Sequence, residues 1–295
     1  MADRRSSGGV IHDIGYRHYD GPRADTRAIA LHLFTTGLRH AYGLGRSGRS
    51  KVLPTLLGLF TLAPAVVMVA MTALLSFDEP MTGYTQYTNN VQVLVSVFAA
   101  AQAPVLFSRD LRTRSIVLHL ARPLSSATFA LVRWASLAAA IALFVVVPTV
   151  VLYAGALLAG ADVGEQTREW LTSLPLALLL SCLLAAVTGV VSSVALRRGF
   201  AVVGSVVALL VIGTVVTSVQ YITEESGNPR AGELAGLFSP WSLVNGLADV
   251  ADTGLSVATP PEGPAMVTLY LVVALAVVAA SLAFLVLRFA TAGRR

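Results

Sequence analysis

Long apolar stretches alternate with short polar segments along the whole chain. Six of these stretches contain no Asp, Glu, Lys, Arg or His, and each exceeds the roughly 20 residues that a helix needs to cross a bilayer. The apolar runs are continuous rather than alternating, which favours membrane helices over the strands of a barrel. The pattern predicts an all-α membrane protein with six transmembrane helices, at Val52–Phe77, Met81–Ser108, Trp134–Ala161, Trp170–Leu196, Gly199–Thr223 and Gly263–Leu287.

The polar segments divide the chain into three parts. A cytoplasmic N-terminal segment (1–51) precedes the six-helix domain (52–287), and a short cytoplasmic tail (288–295) follows it. The second stretch has a polar beginning, so its membrane part is predicted at Val91–Ser108. The segment 224–262 is acidic yet rich in apolar residues, which predicts short helices against the outer membrane face, with Trp241 as an interfacial anchor.

Composition excludes several classes of protein. The chain has 295 residues, of which 55% are hydrophobic and only 13% are charged, whereas a soluble domain carries about 25% charged residues. So few charges cannot cover a soluble enzyme of this size, and the high hydrophobicity excludes a disordered chain. The single cysteine, Cys182, excludes a disulfide scaffold.

Basic residues are concentrated in alternate segments and predict the orientation. Nineteen of the 21 Lys and Arg residues lie in the N-terminal segment, in Arg109–Arg133, at Arg197–Arg198 and in the tail. Only Arg168 and Arg230 lie on the other side. The positive-inside rule therefore places both termini in the cytoplasm of a cell-membrane protein. The net charge of +5 follows from these inner loops and does not indicate nucleic-acid binding.

Asp25–Tyr42 is predicted to form an amphipathic helix in the cytoplasmic membrane interface. Gly37 weakens this helix, and Ile29 and Leu33 blur the edge of its apolar face. The alternative is a soluble helix that packs on something other than the membrane. The predicted apolar face consists of Leu31, Phe34, Leu38 and Tyr42, together with Ala30 and Ala41.

The spans lack the residues that catalysis or ion-driven transport commonly requires. No ionisable side chain lies in the six stretches, and all five histidines fall in cytoplasmic segments. Gly43, Gly45 and Gly48 satisfy a nucleotide-binding spacing, but an amphipathic helix precedes them and a membrane span follows, where a phosphate loop needs a buried strand. We therefore expect no catalytic residue, no metal and no cofactor on this chain.

Uncharged polar groups do occur in the spans and can line a translocation path. Residues of this kind more often form hydrogen bonds between helices, so both interpretations stay open. The candidates for the path are Gln102, Tyr153, Ser181, Thr188 and Ser192.

Three stretches carry a resemblance to a known family. They are Tyr16–Arg23 with the amphipathic helix after it, Phe107–Ser125, and the long outer segment before the last span. The chain resembles the membrane subunit, or permease, of an ABC-2-type transporter. Within the second stretch, the family's acidic position, aliphatic positions and proline are matched by Asp110, Ile116, Leu118, Leu120 and Pro123, whereas Arg114 stands where glycine is frequent.

The resemblance implies a partnership. Two permeases, identical or homologous, face each other in the bilayer, and each docks on a cytoplasmic ATPase subunit that binds ATP and Mg. The loop 109–133 then couples the two. In it Asp110 and Arg112 pair with charges of the ATPase, Ile116 and Leu120 fill its groove, and Pro123 holds the turn.

The resemblance further implies export, and the uncharged spans suggest a lipophilic or amphipathic cargo such as a drug, an antibiotic or a lipid. The alternative function is a secondary carrier driven by an ion gradient.

The charge distribution generates a test of the orientation. A tag at either terminus should resist protease added outside intact cells, whereas the segment 224–262 should be cleaved, because it is the longest segment predicted to lie outside. Immunoblotting after digestion measures both. Loss of an amino-terminal tag would overturn the orientation.

Overall fold

A computed structural model describes residues 21, 25–75, 81–108, 111, 124–195 and 197–293, and all regular structure among these residues is helical. The helices are α1 (Thr26–Ala41), α2 (Arg49–Leu75), α3 (Tyr84–Asn90), α4 (Gln92–Leu106), α5 (Ser126–Leu158), α6 (Val163–Val194), α7 (Arg198–Val206), a π-helical turn (Val207–Val211), α8 (Ile212–Glu225), α9 (Pro229–Gly236), α10 (Pro240–Val250) and α11 (Gly263–Gly293). The predicted all-α class is confirmed for the described part of the chain.

Five helices within the described residues are long and apolar enough to cross a membrane. They are α2, α5, α6, α11 and the continuous α7–π–α8 unit. The helices α3 and α4 meet at Val91 with a bend of 64° and qualify together as a sixth. The bend lies where the sequence predicted the membrane part of the second span to begin.

Capping side chains extend two helices beyond their predicted apolar stretches. The Oγ of Ser125 accepts a hydrogen bond from the Thr128 N–H at 3.0 Å, so α5 begins before Trp134. The Oδ1 of Asp162 accepts from the Glu165 N–H at 2.8 Å, so α6 begins before Trp170. Both caps supply partners to amides at a helix start that have none within the helix.

Contacts between the ends of different helices form two groups, one at each end of the bundle. At one end Ser108 Oγ donates to the Ser192 carbonyl at 2.6 Å, and Phe289 packs on Phe107 and Phe129. At the other end Tyr84 donates to Gln166 Oε1 at 2.6 Å. Consecutive membrane-length helices are therefore antiparallel.

The two ends differ in charge, and we name them accordingly. The basic end contains the start of α2, the start of α7 and the last turns of α11, with Arg49, Lys51, Arg197, Arg198 and Arg288. The acidic end contains the start of α6, the end of α8 and the short helices α9 and α10, with Asp162, Glu165, Glu224, Glu225, Glu233, Asp249 and Glu262 beside Arg168 and Arg230.

Close packing of small residues joins the spans, because apolar surface gains little by leaving lipid for a protein interior. Gly155 on α5 faces Val69 on α2 so closely that an added Cβ would lie 2.5 Å from Val69 Cγ1. Nearby, Phe98 on α4 stacks on Phe144 on α5, with 4.3 Å between ring centroids. Dispersion contacts at such short range hold the bundle together.

The predicted amphipathic segment contains the helix α1, with Asp25 as its N-cap, and its buried residues differ in part from the predicted apolar face. Leu33, Gly37 and Ala41 are buried against the bundle, whereas Leu31 of the predicted face is 64% exposed. Phe34, Leu38 and Tyr42 are half-buried. The alternative of a helix packed on the protein describes these contacts, and the placement of α1 in the membrane interface stays a prediction.

Gly37, expected to weaken α1, provides its closest contact. A Cβ at this position would lie 2.6 Å from Ser136 Oγ on α5 and 3.8 Å from Leu106 Cδ2 on α4. The Tyr42 hydroxyl donates to the Ala140 carbonyl at 2.8 Å, and burial raises the pKa of that hydroxyl above its usual value. The helix α1 is thus fixed to α4 and α5.

Gly155→Ala tests the close contact between α2 and α5. The added methyl group must displace Val69, which should lower the free energy of unfolding by about 1–3 kcal/mol. Gly58→Ala is the matched control on the same helix pair, because its Cβ would lie 3.9 Å from Phe144, an ordinary contact distance. Thermal unfolding in detergent measures both. Equal stability of the two variants would contradict the packing.

Candidate functional site

A polar cleft of about 400 Å³ lies at the acidic end of the bundle. Three walls come from places that are distant in sequence: the bend between α3 and α4, the π-helical turn with α8, and the short helix α10. Residues 256–258 after α10 complete the lining. The cleft is lined by Asn89, Gln92, Val93, Leu209, Leu210, Gly213, Thr214, Thr217, Ser218, Gln220, Tyr221, Trp241, Ser242, Asn245, Ser256, Val257 and Ala258.

The first wall is the bend at Val91. Its backbone (φ −97°, ψ 14°) leaves the α-helical region, so α3 ends and α4 starts in a new direction. Thr and Asn side chains compete for backbone hydrogen bonds and are weak helix formers, and α3 is rich in both. Asn245 Nδ2 on α10 donates to Asn89 Oδ1 at 2.8 Å, which fixes the bend against the third wall.

The second wall is the π-helical turn and the polar stripe that follows it. The Ile212 N–H donates to the Val207 carbonyl five residues earlier, which is the π pattern. One face of α8 then presents polar groups at helical spacing toward the cleft, and the neighbouring face presents exposed apolar ones. The polar stripe is Thr214, Thr217, Ser218 and Tyr221, and the apolar stripe is Val215, Val219 and Ile222.

The third wall is α10, which is held by Trp241. The indole Nε1–H donates to Ser96 Oγ on α4 at 3.0 Å, and Trp241 is only 3% exposed. The prediction that Trp241 is an interfacial anchor is therefore wrong. A hydroxyl on the buried face of α4 gives the indole its partner within the protein.

The lining can form hydrogen bonds but offers no carboxylate, histidine or cation. Thr214 and Ser218 donate their hydroxyl protons to the Leu210 and Thr214 carbonyls of their own helix, at 2.8 and 2.9 Å. Their oxygens keep lone pairs, so they face the cleft as acceptors. The amides of Gln92 and Gln220 carry both donors and acceptors. This arrangement suits an uncharged polar group.

A second, smaller cavity lies beside the cleft and has both polar and apolar lining residues. Its volume of about 10 Å³ matches a single water molecule. Thr85 Oγ1, a buried hydroxyl oxygen without a hydrogen-bond partner in the structure, belongs to its lining with Thr88, Thr149 and Ser173. Trp241 and Asn245 border both cavities and so separate the small one from the cleft.

Metal ligands do not gather in the described part of the chain, where no three His, Cys, Asp or Glu side chains form a group that can hold an ion.

None of the five residues predicted for a translocation path lines either cavity. Ser181 and Thr188 donate to carbonyls of their own helix, and Ser192 is buried at the basic end. Gln102 is buried within α4. Tyr153 shares a hydrogen bond of 2.8 Å with Thr167 and stacks on Trp170. Their part in transport stays a prediction.

The residues predicted to couple to an ATPase, Asp110, Arg112, Ile116, Leu120 and Pro123, lie outside the described residues. The helices on either side of them are described, and both contact α1. The α1 contact with Leu106 lies at the end of α4, and the contact with Ser136 lies near the start of α5.

Sequence reasoning missed the residues of the cleft, although the sequence contains a signal for them. Polar positions at 214, 217, 218 and 221 recur at helical spacing within an otherwise apolar span. The predicted polar beginning of the second span, with Asn89, was a second signal. Nothing in the sequence indicated that these two polar segments meet.

A scan against protein-family models finds no match for this chain, and a search of the curated proteins finds none either. The function is therefore inferred from the sequence and the geometry of the chain itself.

Cysteine reactivity tests the two stripes of α8. In a Cys182→Ser background, Thr217→Cys should react with a water-soluble methanethiosulfonate at least about tenfold faster than Val215→Cys, because only a hydrated thiol forms the reactive thiolate. Both positions are exposed and lie on the same helix, so they are matched. Mass spectrometry of the protein in nanodiscs measures the rates. Equal rates would show that the apolar stripe also faces water.

Proposed function

We propose that this chain is the membrane subunit of an ATP-driven ABC exporter, moved by a separate cytoplasmic ATPase. Its helices long enough to cross a membrane support a membrane-embedded protein. The resemblance in Phe107–Ser125 supports the family. In this proposal the ATPase partner binds ATP and Mg, and the chain itself has no catalytic role.

The observation that carries the proposal is the position of α1. The predicted coupling segment leaves α4 and returns into α5, and α1 packs on both of these helices through Gly37. The centroid of the Tyr42 ring also lies 5.5 Å from that of the Phe98 ring on α4. The Tyr42 hydroxyl donates to the Ala140 carbonyl on α5. A force on the segment 109–123 would thus reach a unit of three helices rather than one flexible loop.

The charges of the two ends support the proposed orientation. Basic residues at the basic end suit the cytoplasmic face of the membrane, by the positive-inside rule. In this orientation both termini and the segment 109–133 are cytoplasmic, where an ATPase can reach them. The polar cleft then lies on the outer side.

Exposed apolar side chains support a lipid-facing surface that leaves room for a second permease. On α2, Leu59, Phe60 and Leu74 are 60%, 55% and 79% exposed. Such exposure is unfavourable in water and natural in a bilayer. In the proposal the second subunit, a copy or a homologue, covers part of this surface and lipid covers the rest.

Ile116→Asp tests the coupling role. The tagged chain is co-expressed with its ATPase, purified as a complex and reconstituted in liposomes. The variant should lower permease-stimulated, vanadate-sensitive ATP hydrolysis about tenfold or more, because a docking groove cannot accept an unpaired carboxylate. Pro123→Gly should uncouple in the same way.

Val117→Asp is the matched control, because it introduces the same charge at a neighbouring residue that is not predicted to enter the groove of the ATPase. It should keep stimulation. Ion-gradient-driven transport by the purified chain alone, indifferent to ATP, would contradict the proposed function and favour a secondary carrier.

A further inference from the structure

We propose that the polar cleft binds the uncharged, hydroxyl-bearing headgroup of an amphiphile whose apolar tail lies along the apolar stripe of α8. This inference rests on the proposed function, for which it names the class of cargo. It concerns residues that neither the sequence motifs nor the predicted translocation path include.

The headgroup class follows from the lining of the cleft. Amides from Gln92 and Gln220 and hydroxyls from Thr217 and Ser242 surround the space, and no side chain there carries a charge. A charged headgroup would lose hydration without gaining a counter-charge, which is costly in a medium of low dielectric constant. A hydroxyl both donates and accepts, so it can pair with either kind of lining group. The volume of about 400 Å³ lies within the range of small-molecule sites.

The apolar tail is inferred from the exposed apolar side chains of α8 next to the cleft. Val215, Val219 and Ile222 are 57%, 38% and 64% exposed. Tyr221 lies at the rim, where it both lines the cleft and is 57% exposed. The polar and apolar stripes are neighbours on one helix, so a molecule that spans them has a polar head and an apolar tail. It reaches the cleft sideways and keeps its tail in the membrane.

Hydrogen bonds join two walls of the cleft, α10 and the α3–α4 pair, before any ligand binds. Asn245 is bonded to Asn89 across the bend, and Trp241 is bonded to Ser96. Both bonds join α10 to the α3–α4 pair, and neither uses the groups of α8 that face the cleft. The free-energy cost of rearranging these two walls on binding is therefore small.

The test uses octyl glucoside that carries a photoreactive diazirine next to the sugar, with the full-length chain alone in phosphatidylcholine nanodiscs. Labelling should be saturable and should map to peptides that contain residues 209–221 or 241–245. Unlabelled octyl glucoside should compete, and octyl sulfate at the same concentration should not. Methyl glucoside, which has no tail, should also fail to compete.

Paired variants connect the label to the lining. Gln92→Met and Thr217→Val each keep the side-chain size and remove hydrogen-bonding groups, so each should weaken competition by octyl glucoside about threefold to tenfold. Gln86→Met and Thr268→Val are the matched controls and should leave it unchanged. Gln86 bonds to Asn90 away from the cleft, and the Thr268 hydroxyl bonds to the Pro264 carbonyl on α11. Thermal unfolding confirms that all four variants are folded.

Three results would overturn the inference: labelling that does not saturate, equal competition by octyl sulfate or methyl glucoside, or equal effects of the cleft variants and their controls. The ATPase takes no part in this binding experiment. Failure here leaves the coupling test of Ile116→Asp untouched, and failure of coupling leaves the measured binding site in place.

Discussion

A backbone N–H or C=O group that faces hydrocarbon without a partner costs several kcal/mol. This constraint makes the chain helical wherever it lies among apolar residues, and it determines where the chain can depart from regular helices. The two departures within the described spans are the bend at Val91 and the π-helical turn at Val207–Val211. Both border the polar cleft, where amides, hydroxyls and water can satisfy the freed backbone groups. The irregular backbone and the polar lining therefore belong to one feature of the molecule.

The contacts between helices depend on shape, because lipid tails are as apolar as leucine side chains. Glycine therefore allows close contact between helices at two places. Gly155 brings α5 to α2, and Gly37 brings α1 to Ser136. The second contact fixes α1 at the basic end, beside the two helices that flank the predicted coupling segment. A glycine that reduces helix propensity can thus stabilise the assembly by allowing a short interhelical distance.

The predicted spans correspond to the long apolar helices of the structure, because a charge-free stretch long enough to cross a bilayer is typical of a membrane helix. One helix start lay outside the predicted stretch, because the polar cap Asp162 begins α6 before its apolar stretch at Trp170. The buried residues of α1 coincide with the predicted apolar face only at Ala41, because the helix also packs through Gly37, and a glycine contact leaves no hydrophobic periodicity. Trp241 was misassigned for a related reason, since its partner Ser96 lies 145 positions away in the chain. The cleft was not predicted for the same reason, because its walls come from segments that are far apart in the sequence.

One helix connects the two regions to which we assign function. The first residue of α4, Gln92, lines the cleft, and its last residue, Leu106, lies near Gly37 of α1. With a rise of about 1.5 Å per residue, this helix carries a displacement across roughly 20 Å. From Val95 to Leu106 it is almost entirely buried, so it can move only together with its neighbours. A push at the basic end would therefore change the bend at Val91, and with it the distance between Asn89 and α8. In the proposed function, energy would be received at one end and the cargo held at the other, and no charged residue would be needed between them.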